Sequence, residues 1–236
     1  MLFEWFPSRA AACLNPMLTG YSGLLQTDGY ICYTSWLNDE KHATEKEAIT
    51  HAGCWAHVRR KFYESGDSIS RKIVKLIAKL YRTETQLRTN PQLDRVTTRQ
   101  EKSRPELDKI KAILDREQPR HLPQSNVGKA IHYALECWSS LTCYLEHGTL
   151  GIDNNLVENA IRPTAIGKKN FLFFGSPESG QTSAIIYSII ETCRKLDINP
   201  SEYLHEVLKA LPTMMQAKAV DWTPARWKAR QQKSTA

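Results

Sequence analysis

The segment from Val58 to His147 constrains the fold most, because its apolar residues recur with the period of a helix. Ile69, Ile73, Leu76, Ile77 and Leu80 mark one amphipathic face, and Leu107, Ile110, Ile113 and Leu114 repeat the pattern. After Pro119 and Pro123, Ile131, Ala134, Leu135, Trp138, Leu141 and Leu145 mark a long helix that stops at Gly148. Between the first two stripes, Thr89 to Gln100 is polar and reads as a loop or frayed helix.

The flanks are different in kind, so the helical block sits inside a mixed framework. Met1 to Phe6 is short, apolar and aromatic, ends at Pro7, and reads as a strand. Leu24 to Thr27 reads as a second strand, led in by Gly20 and Gly23 and closed by Asp28-Gly29; Ile49 to Trp55 reads as a third. Downstream, Asp153-Asn154-Asn155 supplies cap residues for a helix start. Phe171 to Phe174 reads as a short aromatic strand or buried loop, and Ser183 to Leu196 and Ser201 to Leu211 as helices separated by Asn199-Pro200. The tail after Pro212 carries Lys218, Arg226, Lys228, Arg230 and Lys233, and its last residues are expected to be disordered.

A chain of 236 residues with 41% hydrophobic and 24% charged residues can bury a real core in one large domain or one domain plus an appendage. A net charge of +7 and a pI near 9.1 favour an anionic partner, nucleic acid or an anionic membrane surface. A basic protein with no such partner fits the charge equally well. No run of about 18 apolar residues occurs, so no membrane span is expected. The opening residues Met1 to Pro7 lack the basic flank and apolar run of a signal peptide, and six scattered cysteines do not resemble a disulfide framework. A reducing, cytoplasmic setting is expected.

Several residues can carry chemistry. Asp28 ends a short apolar strand before Gly29, where a metal ligand is easily presented, although an Asp-Gly pair is more often only a turn. Glu158 lies one helical turn from Arg162, either as a surface ion pair or as a carboxylate facing a metal with Arg162 aimed at a phosphate. Cys54 and His57, with His51 nearby, have a Cys-x-x-His spacing that raises zinc. A structural zinc site needs four ligands and no second pair follows. On an extended strand His51 and His57 would share a face while Cys54 points the other way. Arg59-Arg60-Lys61 and Lys168-Lys169 are basic clusters beside aromatics, suited to phosphates or to a solvated helix face.

Taken in order, these segments resemble the transposases of the insertion-sequence-66 family. The stretches that carry the likeness are Leu25 to Tyr30, Gly53 to Phe62, Ser125 to Ala130, Ile152 to Pro163, Gly167 to Asn170, Gly175 to Pro177 and Pro200 to Pro212. The resemblance implies an α/β, ribonuclease H-like fold with a large helical insertion: core at 1–57, insertion at 58–148, core again at 149–196, and a C-terminal helix and basic tail at 197–236. It implies a DDE triad of carboxylates holding two magnesium ions, or manganese, with Asp28 matching the second acid and Glu158 the third. Cys54 and His57 match a signature lying between those acids. The implied partner is DNA at transposon ends, contacted by Arg59, Arg60, Lys61, Arg162, Lys168 and Lys169, with a homo-oligomer when full length and no membrane. The family's first acid and early strands have no match, so the chain is expected to be a C-terminal portion that is inactive alone. The alternatives are a non-catalytic DNA-binding remnant, a metal-dependent hydrolase of a small substrate, and a purely structural helical protein.

Overall fold

The computed structural model describes residues 1–234, and they are mostly helical with one small parallel sheet. They divide into two compact units, residues 10–158 and residues 1–9 with 159–236. No helix among the described residues is long and apolar enough to cross a membrane.

In the unit of residues 10–158, the short helices α1 (Asn15–Leu18), α2 (Ile31–Leu37) and α3 (Ala43–Ala48) accompany strands β1 (Gly23–Gln26) and β2 (Ile49–Ala52). The strands pair in parallel, with Leu24 opposite Thr50 and Gln26 opposite Ala52. A parallel pair needs a crossover, and α2 and α3 supply it. A small core of Leu14, Leu18, Trp36, Leu37 and Ile49 lies here. The expected second strand is therefore present. The expected third is cut short at Ala52, and Trp55 is already helical.

The helical block follows as α4 (Trp55–Ser65), α5 (Ser68–Thr89), α6 (Arg95–Lys102), α7 (Arg104–Glu117), α8 (Asn126–Glu136) and α9 (Trp138–Thr142). Local chemistry explains the boundaries. Gly66, at φ +72°, ends α4 in the left-handed region, and the carboxylates of Asp67 and Asp94 accept from the Ser70 and Thr97 amides to cap α5 and α6. The apolar stripes meet as anticipated, with Ile73, Ile77 and Leu80 of α5 and Leu107, Ile110 and Leu114 of α7 in one core with Trp55, Val58, Phe62 and Ile131.

Two expectations inside the block are corrected. The polar segment Thr89 to Gln100 is not simply a loop, since α6 starts at Arg95 and its Arg99 is wholly buried. The single long helix ending near Gly148 is broken into α8, α9 and a 3-10 turn over Cys143–Leu145. The first break falls at Cys137, and at the second the carbonyls of Ser140 and Leu141 accept from the Gly53 amide (2.9 Å) and the Trp55 indole (2.8 Å), where α9 gives way to the 3-10 turn.

The other unit contains α11 (Pro177–Lys195), α12 (Pro200–Ala210) and α13 (Pro224–Ser234). Before them, α10 (Asn155–Phe171) begins at the end of the first unit. Its core joins Cys193, Ile198, Tyr203 and Trp227. Met1 to Phe6 is not a strand. The Phe3 amide donates to the Ser188 hydroxyl (2.8 Å) and the Met1 ammonium to Thr192 Oγ1 (3.1 Å), so this segment lies along α11. Phe171 to Phe174 is neither a strand nor a buried loop. Leu172 sits at φ +62°, and Leu172 and Phe173 are exposed. The tail is helical as far as Ser234. The disorder expected at its very end falls on residues 235–236, outside the described residues.

Candidate functional site

The two parallel strands deliver their C-terminal ends to the same side, and the chemistry gathers there. Beyond β1, the Thr27 amide donates to the Ala52 carbonyl (3.0 Å), which carries the chain straight into Asp28. Asp28 is half-buried, and its Oδ1 accepts from the Tyr30 amide at 2.9 Å. Gly29 follows at φ +77°, against the hydroxyl of Tyr133.

Beyond β2, Gly53 and Cys54 lead into α4. Cys54 is the residue before the first turn and His57 lies within it, so both face the helix start instead of opposite sides of a strand. This overturns the extended geometry expected from Ile49 to Trp55. The loop before α10 is brought to the same place. The Trp55 amide donates to the Ile152 carbonyl (3.1 Å), and the Gln26 side-chain amide donates to the carbonyls of Gly151 (2.9 Å) and Gly53 (3.3 Å). Asp153 then opens α10, accepting from the Asn155 amide and from the Tyr81 hydroxyl at 2.8 Å. Burial, followed by the hydrogen bond to Asp153, pushes the Tyr81 phenol well above its ordinary range.

Glu158 stands in the first turn of α10, with its Oε1 3.4 Å from His57 Nε2. Ligand atoms of Cys54, His57 and Glu158 all lie within 4.8 Å of one another. Cys54 is 2% exposed, and its thiol is pushed up by burial, against which the amides of Asn154, His57 and Ala56 pull it down. Buried polar atoms without a hydrogen-bond partner include His57 Nδ1, Asn154 Oδ1 and Glu158 Oε1. Asp28 is not a member of this trio, and neither is His51. The His51 ring is 2.9 Å from Thr27 Oγ1, and burial lowers its pKa.

The basic residues divide between the units. In the first, Arg59, Arg60 and Lys61 lie on the exposed side of α4, while Val58 and Phe62 face the core. Arg59 and Arg60 line a cavity of about 350 Å³ with Tyr63, Tyr81 and Asn155, and Lys61 lies over the Tyr133 ring at 4.5 Å. Arg162, Lys168 and Lys169 are exposed on the part of α10 that belongs to the other unit. Sequence reasoning gave no role to Gln26 or Tyr133, and Asn154 entered only as part of the helix start before Glu158. A lone glutamine, asparagine or tyrosine carries no spacing signal, and only the fold places them.

Comparison with known proteins gives consistent likenesses. The family model described as "Transposase IS66 family" matches residues 1–182. Among curated proteins of Sinorhizobium fredii (strain NBRC 101917 / NGR234), the uncharacterized protein y4qI is 35% identical, covering 93% of this chain and 41% of its own. The uncharacterized protein y4jD is 32% identical, over 95% of this chain and 45% of its own. The chain thus spans less than half the length of these relatives. No solved structure matches it.

Proposed function

Because the chain belongs to the IS66 transposase family, we propose that it contributes Asp28 and Glu158 to a two-metal site for DNA strand cleavage and transfer. The observation that carries this is the convergence of Asp28, the Cys54–His57 turn and the Glu158 turn on the C-terminal ends of β1 and β2. Ligands of open α/β sheets bind at such strand ends. We read the parallel pair, with the helical excursion between its acids, as part of a ribonuclease H-like core carrying an insertion.

The donors fit a divalent cation. Glu158 Oε1 is buried without a hydrogen-bond donor, and the Tyr30 amide on Asp28 Oδ1 orients that carboxylate. Magnesium, or manganese in its place, takes oxygen ligands and supplies Lewis-acid stabilisation of an attacking and a leaving oxygen. Asp28 and Glu158 would hold it. Arg59, Arg60 and Lys61, and separately Arg162, Lys168 and Lys169, would bind DNA phosphates and make affinity salt-dependent. On this reading the chain binds transposon-end DNA and acts as an oligomer.

The test joins two measurements on the purified chain. Manganese binding, followed by its paramagnetic resonance, should weaken by at least about tenfold in Asp28→Asn and in Glu158→Gln. DNA affinity should fall steeply with salt, and fall further in Lys168→Ala/Lys169→Ala. Unchanged manganese binding in both acid variants would favour the non-catalytic DNA-binding remnant. Absence of DNA affinity at low salt would overturn the proposal altogether.

A further inference from the structure

We infer that Cys54, His57 and Glu158 form a binding site for a zinc-type transition-metal ion, distinct in ligand chemistry from an all-oxygen magnesium site. The donor set is one sulfur, one imidazole nitrogen and one carboxylate oxygen, with ligand atoms within 4.8 Å of one another. Thiolate and imidazole select zinc and its neighbours, whereas magnesium takes oxygen and keeps its waters.

Two further observations point to a ligand. His57 Nδ1, Asn154 Oδ1 and Glu158 Oε1 are all buried without a hydrogen-bond partner, and a cation satisfies such acceptors directly. The donors are also held in place before any ion arrives. Cys54 and His57 are fixed by the start of α4, and the Glu158 segment is fixed by Gln26 and by the Trp55 amide on Ile152. On binding, the Cys54 S–H bond breaks, its proton leaves to solvent, and the sulfur lone pair forms the bond to the metal. Three protein donors leave a fourth position for water or an anion, as in open zinc sites and unlike closed structural ones.

This inference does not rest on the transposase reading, because its readout is metal binding by sulfur and not action on DNA. It does share Glu158 with that reading, so zinc and manganese should compete. The experiment is a cobalt(II) titration of the metal-free full chain, followed by absorption. The expected result is one equivalent bound, with a sulfur-to-cobalt charge-transfer band that zinc abolishes and magnesium does not. Cys54→Ser should remove that band with helical circular dichroism unchanged. Glu158→Gln should keep the band but weaken cobalt binding by at least about tenfold. Should Cys54→Ser fail to fold, Glu158→Gln and His57→Gln decide the matter, since both must weaken binding. A folded chain that takes up no cobalt, a band that survives Cys54→Ser, or variants that bind like the parent would each overturn the site. DNA affinity retained in such a failure would leave the transposase reading standing.

Discussion

At the scale of single residues, Gly29 shows how much depends on one missing side chain. Its φ of +77° already excludes most residues, and a Cβ there would come within 2.1 Å of the Tyr133 hydroxyl oxygen. That hydroxyl donates to the Asp28 carbonyl at 3.5 Å, so crowding at Gly29 would disturb the acid beside it. We predict that Gly29→Ala lowers stability by about 1–3 kcal/mol, read as a shift in the urea midpoint. An unshifted midpoint would show that the backbone there is free to adjust. The Asp-Gly pair was legible in the sequence because turn chemistry is local. Tyr133 was not, because nothing in its own neighbourhood says that it packs on residue 29. The same holds for Cys54 and His57. Their spacing was visible, but their third partner lies far along the chain, and the strand geometry assumed for them pulled them apart.

At the scale of elements, helix α5 is tied to pH through its cap. Burial pushes the Asp67 carboxyl up, but the Ser70 hydroxyl, the Ser70 amide and the Ser65 hydroxyl outweigh it and hold the group at about 2. A folded pKa below the unfolded one adds stability that is complete above roughly pH 4 and is lost as pH falls toward 2. Asp67→Ala should therefore cost about 1 kcal/mol at neutral pH. The gap from the parent should close as the pH is taken from 4 to 2 in denaturant melts; a gap independent of pH would refute the assignment. Elements held by their own sequence, such as α5, α7 and α12, were readable from periodicity, whereas α11 starts at Pro177, six residues before the expected Ser183. Elements shaped by distant partners were misread. The carbonyls at the end of α9 are engaged by Gly53 and Trp55, and the course of Met1 to Phe6 depends on the hydroxyls of α11.

At the scale of the molecule, the unit of residues 10–158 turns on one buried guanidinium. Arg99, 0% exposed, makes two bonds to the Glu84 carboxylate, at 2.8 and 2.7 Å. Its remaining donors reach the carbonyls of Tyr144 (2.7 Å), His147 (3.0 Å) and Leu150 (2.7 Å). All five N–H groups are thereby used, and α5 and α6 are fastened to the segment that leads into α10. Removing one partner strands a buried charge, so Arg99→Met should destabilise by about 3–5 kcal/mol, and Glu84→Leu combined with it should recover part of the loss. Equal stability of the single variant and the parent in equilibrium unfolding would contradict this. No sequence pattern announces such a residue, because an arginine in a polar segment looks like surface until its acceptors are assembled around it.

The clasp made by Gln26 has a consequence in time as well as in space. Its amide holds Gly53 and Gly151 together, and through them two stretches of chain separated by about one hundred residues. While the ribosome is still making the helices between them, Cys54 and His57 have no Glu158 to meet. Tight metal binding, which needs Glu158 beside Cys54 and His57, would therefore mark the moment this long loop closes, a stopwatch for its maturation.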